Sequence, residues 1–339
     1  MERESYLYEQ LEGGSVKCTT CAWRCTIKEG QRGFCGMREN RGGKLIALNY
    51  GLVSSVNVDP IEKKPLFHFY PGTSVFSLGT VGCNFRCLHC QNYSISQVSI
   101  DESIRELVEY TPEQTIEMAK KSGCRGIAWT YNEPTIWFEY TLDSARLAKA
   151  ENLYTVYVTN GYMTSEALEM IAPFLDAMNI DVKGFTQKFY TQLCQTRLKP
   201  VLETAERAHR LGIHIELTYL VIPGRNDSPE EITLFVDWAS GIDVDIPVHF
   251  SRFHPDYKLT DAPMTPNETL ETALEIAKEK LNYVYLGNVP GHSGENTYCS
   301  QCNNLLIERV GYKTKVIGLT GKACSKCGCE IPTLQAEMV

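Results

Sequence analysis

Between residues 74 and 287 the chain alternates short apolar runs with longer stretches whose apolar positions recur at helical spacing. The short runs are rich in β-branched and aromatic residues. Six of them predict strands: 74–80 (SVFSLGT), 126–131 (GIAWTY), 154–159 (YTVYVT), 177–182 (AMNIDV), 213–222 (IHIELTYLVI) and 247–253 (PVHFSRF). Helix starts open several of the segments between them. Thr111-Pro112-Glu113-Gln114, Thr164-Ser165-Glu166 and Ser228-Pro229-Glu230-Glu231 each place a capping side chain ahead of a proline or an acid in the first turn. Strand–helix units repeated six times imply parallel strands. The expected fold is α/β, a full or partial (β/α)6 barrel with small Cys-rich N- and C-terminal extensions. The expected division is an N-terminal Cys-rich segment over 1–65, the barrel core over 66–288 and a zinc-ribbon-like module over 289–339.

In such barrels the chemistry sits at the C-terminal ends of the strands. Cys83 to Cys90 follow the first strand, Asn132 and Glu133 the second, Thr159 and Asn160 the third, and Asp181 and Lys183 the fourth. His249 and Arg252 lie on the sixth. Polar groups from separate strands thus meet a cysteine loop at one rim. Taken singly, Asp181–Lys183 is also what a plain ion pair looks like, and Asn160-Gly161 what a turn looks like.

Composition sharpens this picture through cysteine. Twelve of the 14 cysteines fall in three groups, in a chain without a secretory leader, which points to metal held by reduced thiolates. Cys83, Cys87 and Cys90 make C-x3-C-x2-C, one short of a closed zinc site. Three thiolates suit a [4Fe–4S] cluster with one iron left to an exogenous ligand; zinc completed by His89 or a remote residue is the plainer alternative. Cys299, Cys302, Cys324 and Cys327 have zinc-ribbon spacing with Cys329 spare, although spacing does not separate Cys327 from Cys329. Cys18, Cys21, Cys25 and Cys35 can also close a tetrahedral site. Structural zinc is the expectation for both outer groups and a second Fe–S cluster the alternative, in the N-terminal group one that relays electrons or binds substrate. Cys124 and Cys194 read as ordinary buried thiols, although Cys194 follows the Asp-x-Lys strand and has a route to the site.

With 33 basic against 41 acidic residues the net charge is -8, which disfavours a protein that coats nucleic acid. No run of 18 apolar residues occurs, and the start is charged. The expectation is a cytoplasmic protein, not bound to a membrane.

C-x3-C-x2-C after the first strand of a βα barrel resembles the radical S-adenosylmethionine enzymes, and 83-CNFRCLHCQN-92 is similar to their glycyl-radical activating branch, including pyruvate formate-lyase activating enzymes. The resemblance implies that Cys83, Cys87 and Cys90 ligate a [4Fe–4S] cluster and that S-adenosylmethionine binds its open iron. Tyr131-Asn132-Glu133-Pro134 resembles the Gly-Gly-Glu-Pro segment that meets the methionine amino group. Thr159-Asn160-Gly161 matches Thr-Asn-Gly near the ribose and methionine, and Asp181-Val182-Lys183 matches Asp-x-Lys, with the lysine toward the carboxylate. His249 and His89 fall where histidine or an aromatic residue stands near the adenosine. Activases tend to carry aspartate before Thr-Asn-Gly, some using it for a monovalent cation. Val158 stands there in this chain.

The runs at 65–72 (PLFHFYPG), 130–135 (TYNEPT), 251–255 (SRFHP) and 287–292 (GNVPGH) further resemble the radical protein of the AmmeMemoRadiSam set. The implied function is reductive cleavage of S-adenosylmethionine to a 5′-deoxyadenosyl radical that takes hydrogen from a macromolecule, a protein in the activase-like case. The implied partners are a reductant such as ferredoxin or flavodoxin, and proteins of AMMECR and Memo type. Modification of RNA, and a non-catalytic metal or iron–sulfur module, are the alternatives.

Overall fold

The structure, a computed structural model, describes residues 2–335. All six predicted runs are strands of one eight-stranded sheet. In chain order its strands are β1 (Ser55–Pro60), β2 (Ser74–Gly79), β3 (Gly126–Trp129), β4 (Tyr154–Thr159), β5 (Ala177–Asp181), β6 (His214–Val221), β7 (Val248–Arg252) and β8 (Val284–Gly287), and each pairs with the next. β2 to β8 are parallel, and β1 runs antiparallel to β2. β1 and β8 are free edges, so the barrel is open. These two strands were not predicted. β1 alternates polar and apolar residues and ends in a proline, which an edge strand tolerates, and β8 is only four residues long.

The connecting helices include α1 (Pro112–Lys121), α2 (Phe138–Ala150), α3 (Ser165–Ile171), α4 (Lys199–Arg210), α5 (Pro229–Ile242) and α6 (Asn267–Lys278). The three helix starts read from the sequence are all realised. Thr111 and Gln114 form a reciprocal capping box on α1, and Thr164 and Ser228 cap α3 and α5.

Period-two alternation along the strands makes two cores. Phe76, Leu78, Trp129, Tyr157, Ile180, Leu217, Tyr219 and Phe250 join the buried cluster that also takes Phe138, Ala205, Phe235 and Leu270 from the helices. Val75, Ala128, Val156 and Ala177 instead pack with Ile61, Leu66 and Phe69. The 65–72 run therefore plugs the inside of the open barrel. Its backbone is satisfied there by side chains of the sheet. Glu216 on β6 accepts from the amides of Phe67 (2.9 Å) and His68 (2.7 Å), and Asn179 on β5 donates to the Pro65 carbonyl (2.9 Å). Above the plug the barrel remains hollow. Among the described residues no helix is long and apolar enough to cross a membrane.

Candidate active site

The cysteine loop leaves β2 through Gly82, whose φ of +87° is left-handed backbone that a residue with a side chain adopts only under strain; a Cβ there would also displace the Met37 side chain, whose Cε would lie 2.8 Å away. Cys83 and Cys87 are buried, and Cys90 is half-buried. No three of the Cys83, Cys87 and Cys90 sulfurs with their neighbours gather as tightly as the C-terminal thiols, apart from a set of Cys87, His89 and Cys194 lying within 4.8 Å of one another. The loop is fastened at many points. Arg86 donates from Nη1 to the carbonyls of Cys83 (2.7 Å) and Phe85 (2.8 Å), while the amides of Arg86 and Leu88 donate to the carbonyls of Cys194 (3.2 Å) and Leu193 (2.8 Å).

The residues at the strand ends complete this fastening. Asn132, after β3, accepts from the Thr80 amide (3.1 Å) and donates to the Gly82 carbonyl (2.9 Å). Asn160, after β4, donates to Asn84 Oδ1 (2.8 Å) and reaches Cys83 Sγ at 3.8 Å. Glu133 accepts from the amide (3.0 Å) and hydroxyl (2.5 Å) of Thr135, the Thr159 hydroxyl (2.7 Å) and the Asn160 amide (2.8 Å). Burial raises the affinity of Glu133 for its proton, and these four donors oppose it. Asp181 and Lys183 form an ion pair at 2.7 Å. Burial works against the Lys183 charge, but Asp181 and Cys87 more than restore it, so the ammonium is held above its usual range.

His89 is buried with neither ring nitrogen partnered, and burial followed by the Lys183 charge brings its pKa down to about 3. His249 is also buried, but its Nε2 is bonded to Glu216 Oε2 at 2.7 Å. All eleven residues that the sequence assigned to cluster and cofactor line one cavity of about 420 Å³, inside the size range of small-molecule sites. Tyr131, Lys64 and Pro65 lie on its wall as well.

The uncharacterized protein MJ0808 of Methanocaldococcus jannaschii is 50% identical over 334 residues, 97% of this chain and 98% of that one. The Radical SAM superfamily model matches residues 77–236, from β2 into α5. The chain belongs to the radical SAM superfamily. The pyruvate formate-lyase 1-activating enzyme of Escherichia coli is 22% identical over 218 residues, 58% of this chain and 86% of that enzyme. A radical SAM methyltransferase from Sphaerobacter thermophilus matches the fold with a TM-score of 0.50 at 15% identity, over 67% of this chain and 71% of the other.

The radical SAM domain implies a [4Fe–4S] cluster and S-adenosylmethionine, and the residues present fit both. Three thiols line the cavity without the close packing that a single zinc ion imposes, and two buried nitrogens of His89 lack partners in its wall.

Two other residues reach this radical SAM site without being assigned to it from sequence. Cys194 is buried, as expected, and takes the nearer-site course open to it: its sulfur faces Cys87, and that contact, followed by burial, pushes the Cys87 thiol well up. Glu216 gathers His214, His249 and the plug amides. Burial opposes its ionisation, yet the two histidines hold it well below the usual carboxylate range. An acid in mid-strand followed by inward-facing threonine was the available signal.

At the C-terminus Cys299, Cys302, Cys324 and Cys327 lie within 4.8 Å of one another, which resolves the choice between Cys327 and Cys329. Cys299–Cys327 (3.6 Å) and Cys302–Cys324 (3.7 Å) approach the sulfur–sulfur edge of about 3.8 Å that follows from a tetrahedral site with Zn–S near 2.3 Å. Against burial, the amides of Cys327 and Lys326 bring the Cys324 thiol down to about 6. Cys329 bonds the Glu330 carbonyl instead.

Proposed function

We propose that the protein is a radical S-adenosylmethionine enzyme that takes a hydrogen atom from a protein substrate, in the manner of a glycyl-radical activase. The observation that carries this reading is the single cavity in which three cysteines and the strand-end residues Asn132, Glu133, Asn160, Asp181 and Lys183 converge. In the reading, Cys83, Cys87 and Cys90 hold the cluster, while His89, Asn132, Glu133, Thr159, Asn160, Asp181, Lys183 and His249 shape the cofactor pocket. When bound, cluster and S-adenosylmethionine supply methionine and a 5′-deoxyadenosyl radical on one-electron reduction.

The chain's own share is positioning, charge and exclusion of water. Lys183, kept charged by Asp181, gives the cavity a fixed cation suited to a carboxylate. His89 stays neutral at physiological pH, so its ring offers one donor and one acceptor to a heteroaromatic edge. Asn132, Glu133 and Asn160 keep the cysteine loop fixed against the ends of β3 and β4, which is what a reactive intermediate needs. Similarity to the pyruvate formate-lyase activating enzyme supports a protein substrate. The AmmeMemoRadiSam reading, with AMMECR-type and Memo-type partners and a ferredoxin or flavodoxin donor, belongs to this proposal. Its support is that Pro65, Thr130, Ser251 and Gly287, from the four runs carrying that resemblance, line the cavity.

The test is anaerobic reconstitution with iron and sulfide, reduction, addition of S-adenosylmethionine, and identification of nucleosides by mass. 5′-Deoxyadenosine is expected from the wild type and none from Cys87→Ala. Methylthioadenosine instead places cleavage on the aminocarboxypropyl side, and no product from a reduced, cofactor-binding cluster defeats the enzymatic reading. Asp181→Ala is expected to keep the cluster and weaken cofactor binding about tenfold, the worth of one charge-assisted hydrogen bond.

A further inference from the structure

The chain carries its own example of four cysteines gathered as tightly as one tetrahedral metal ion requires. The C-terminal thiols lie within 4.8 Å of one another, whereas no three of Cys18, Cys21, Cys25 and Cys35 do. In this the N-terminal set matches Cys83, Cys87 and Cys90 rather than Cys299, Cys302, Cys324 and Cys327. One zinc ion draws all its sulfurs onto itself, but the cube of a [4Fe–4S] cluster takes each sulfur on a separate iron and holds them apart.

Cys18 and Cys25 pack against one group of buried residues and Cys35 against another, and Cys21 lies near enough to feel the charge of all three. The Met37 amide donates to Cys35 Sγ at 3.4 Å. Such N–H···S bonds stabilise thiolate charge and tune cluster potentials. A second and independent feature lies beside these thiols. Arg38 is 2% exposed, its Nε has no partner, and its charge acts on Cys18, Cys21 and Cys35. A buried guanidinium that is paired with Glu139 and keeps one free donor near three of the thiols suits an anionic cluster.

We propose that Cys18, Cys21, Cys25 and Cys35 hold a second [4Fe–4S] cluster that passes electrons to the cavity cluster. The two cysteine loops are in direct contact. Trp23 Nε1 donates to the Asn84 carbonyl (2.7 Å), Arg86 Nη2 donates to the Phe34 carbonyl (2.7 Å), and a Cβ on Gly82 would lie 3.3 Å from the Cys35 carbonyl oxygen. Asn84 and Gly82 flank Cys83. A low-potential one-electron donor protein loses one electron to the N-terminal cluster, which hands it to the cavity cluster; no bond breaks and no group moves. The relay role rests on the proposed function, whereas the cluster itself does not.

The experiment is iron and zinc analysis with Mössbauer and EPR spectroscopy on full-length protein reconstituted with 57Fe. The wild type is expected to hold about eight irons, and Cys83→Ala/Cys87→Ala/Cys90→Ala about four with a reducible signal. Adding Cys25→Ser and Cys35→Ser to that variant removes the remaining iron. A wild type with about four irons and zinc in the outer sites overturns the proposal without recourse to any variant, and so does iron that survives loss of Cys25 and Cys35. A protein that makes 5′-deoxyadenosine with only the cavity cluster sinks this proposal and leaves the proposed function standing; two clusters without cleavage do the reverse. For the relay, reduction of the cavity cluster by reduced flavodoxin is expected to be lost in Cys25→Ser/Cys35→Ser, and an unchanged rate overturns that role.

Discussion

Arg38 and Glu139 meet at 2.6 Å with side chains only 2% and 1% exposed, joining the N-terminal cysteine segment to α2 of the barrel. A buried pair of this kind gives modest net stability, but removing one partner strands a charge in a medium that solvates it poorly. Arg38→Met is therefore expected to cost about 3–5 kcal/mol in denaturant unfolding, and Arg38→Met/Glu139→Gln to recover most of it. Equal losses in the single and double variants would show that the ion pair is not what ties the segment down.

Glu133 makes a sharper case, because both its oxygens only accept. Four donors from Thr135, Thr159 and Asn160 converge on it. A glutamine amide keeps one acceptor and turns a donor toward other donors, so Glu133→Gln is expected to lose about 1–3 kcal/mol despite its near-identical shape. The loss should concentrate at Thr159 to Gly161, seen as faster amide exchange there. Exchange unchanged at those amides would place the clamp elsewhere.

What was legible in the sequence was local. Strand periodicity, the Thr111, Thr164 and Ser228 caps and the strand-end motifs depend on neighbours within a few residues, and the structure reproduces them. What was hidden depends on partners far along the chain. Glu216 bonds amides 148 and 149 residues away, and Arg309 donates to the Phe67 carbonyl across 242 residues. The Arg309 contact leaves no mark in spacing or composition, and Glu216 shows only as an acid in mid-strand, without its partners. Asn132 is intermediate: its place in the motif was readable, but not that its amide braces Thr80 and Gly82, which only the fold brings beside it.

His68 should make stability fall in mild acid. It is fully buried between Thr333 Oγ1 (2.7 Å) and Tyr285 OH (2.5 Å), and burial, opposed only in part by Glu216, brings its pKa down to about 3. The unfolded chain takes up the proton near pH 6.5 and the folded one resists it. This contribution is therefore complete above pH 6.5 and is lost as pH falls toward 3, at up to about 1.4 kcal/mol per pH unit. His68→Gln keeps a donor and an acceptor but cannot titrate. Between pH 6.5 and 5 the wild type should lose about 2 kcal/mol more than the variant in denaturant titrations, and parallel losses would refute the assignment.

The C-terminal tetrad should act beyond its own module. Its strand Leu305–Val310 carries Arg309, whose guanidinium lies 4.2 Å above the Phe67 ring and donates to the Phe67 carbonyl at 2.7 Å, while Glu216 holds the Phe67 amide from the other side. If the four thiols hold zinc, that ion keeps the module closed over the barrel plug. Cys302→Ser/Cys324→Ser is then expected to lose one zinc per chain, to speed amide exchange through 297–324, and to loosen Phe67 and His68 as well, leaving β3 to β5 protected. Loss of zinc with no change at Phe67 and His68 would mean that Glu216 alone suffices to seat the plug, and that the module is an appendage to the cavity rather than part of its floor.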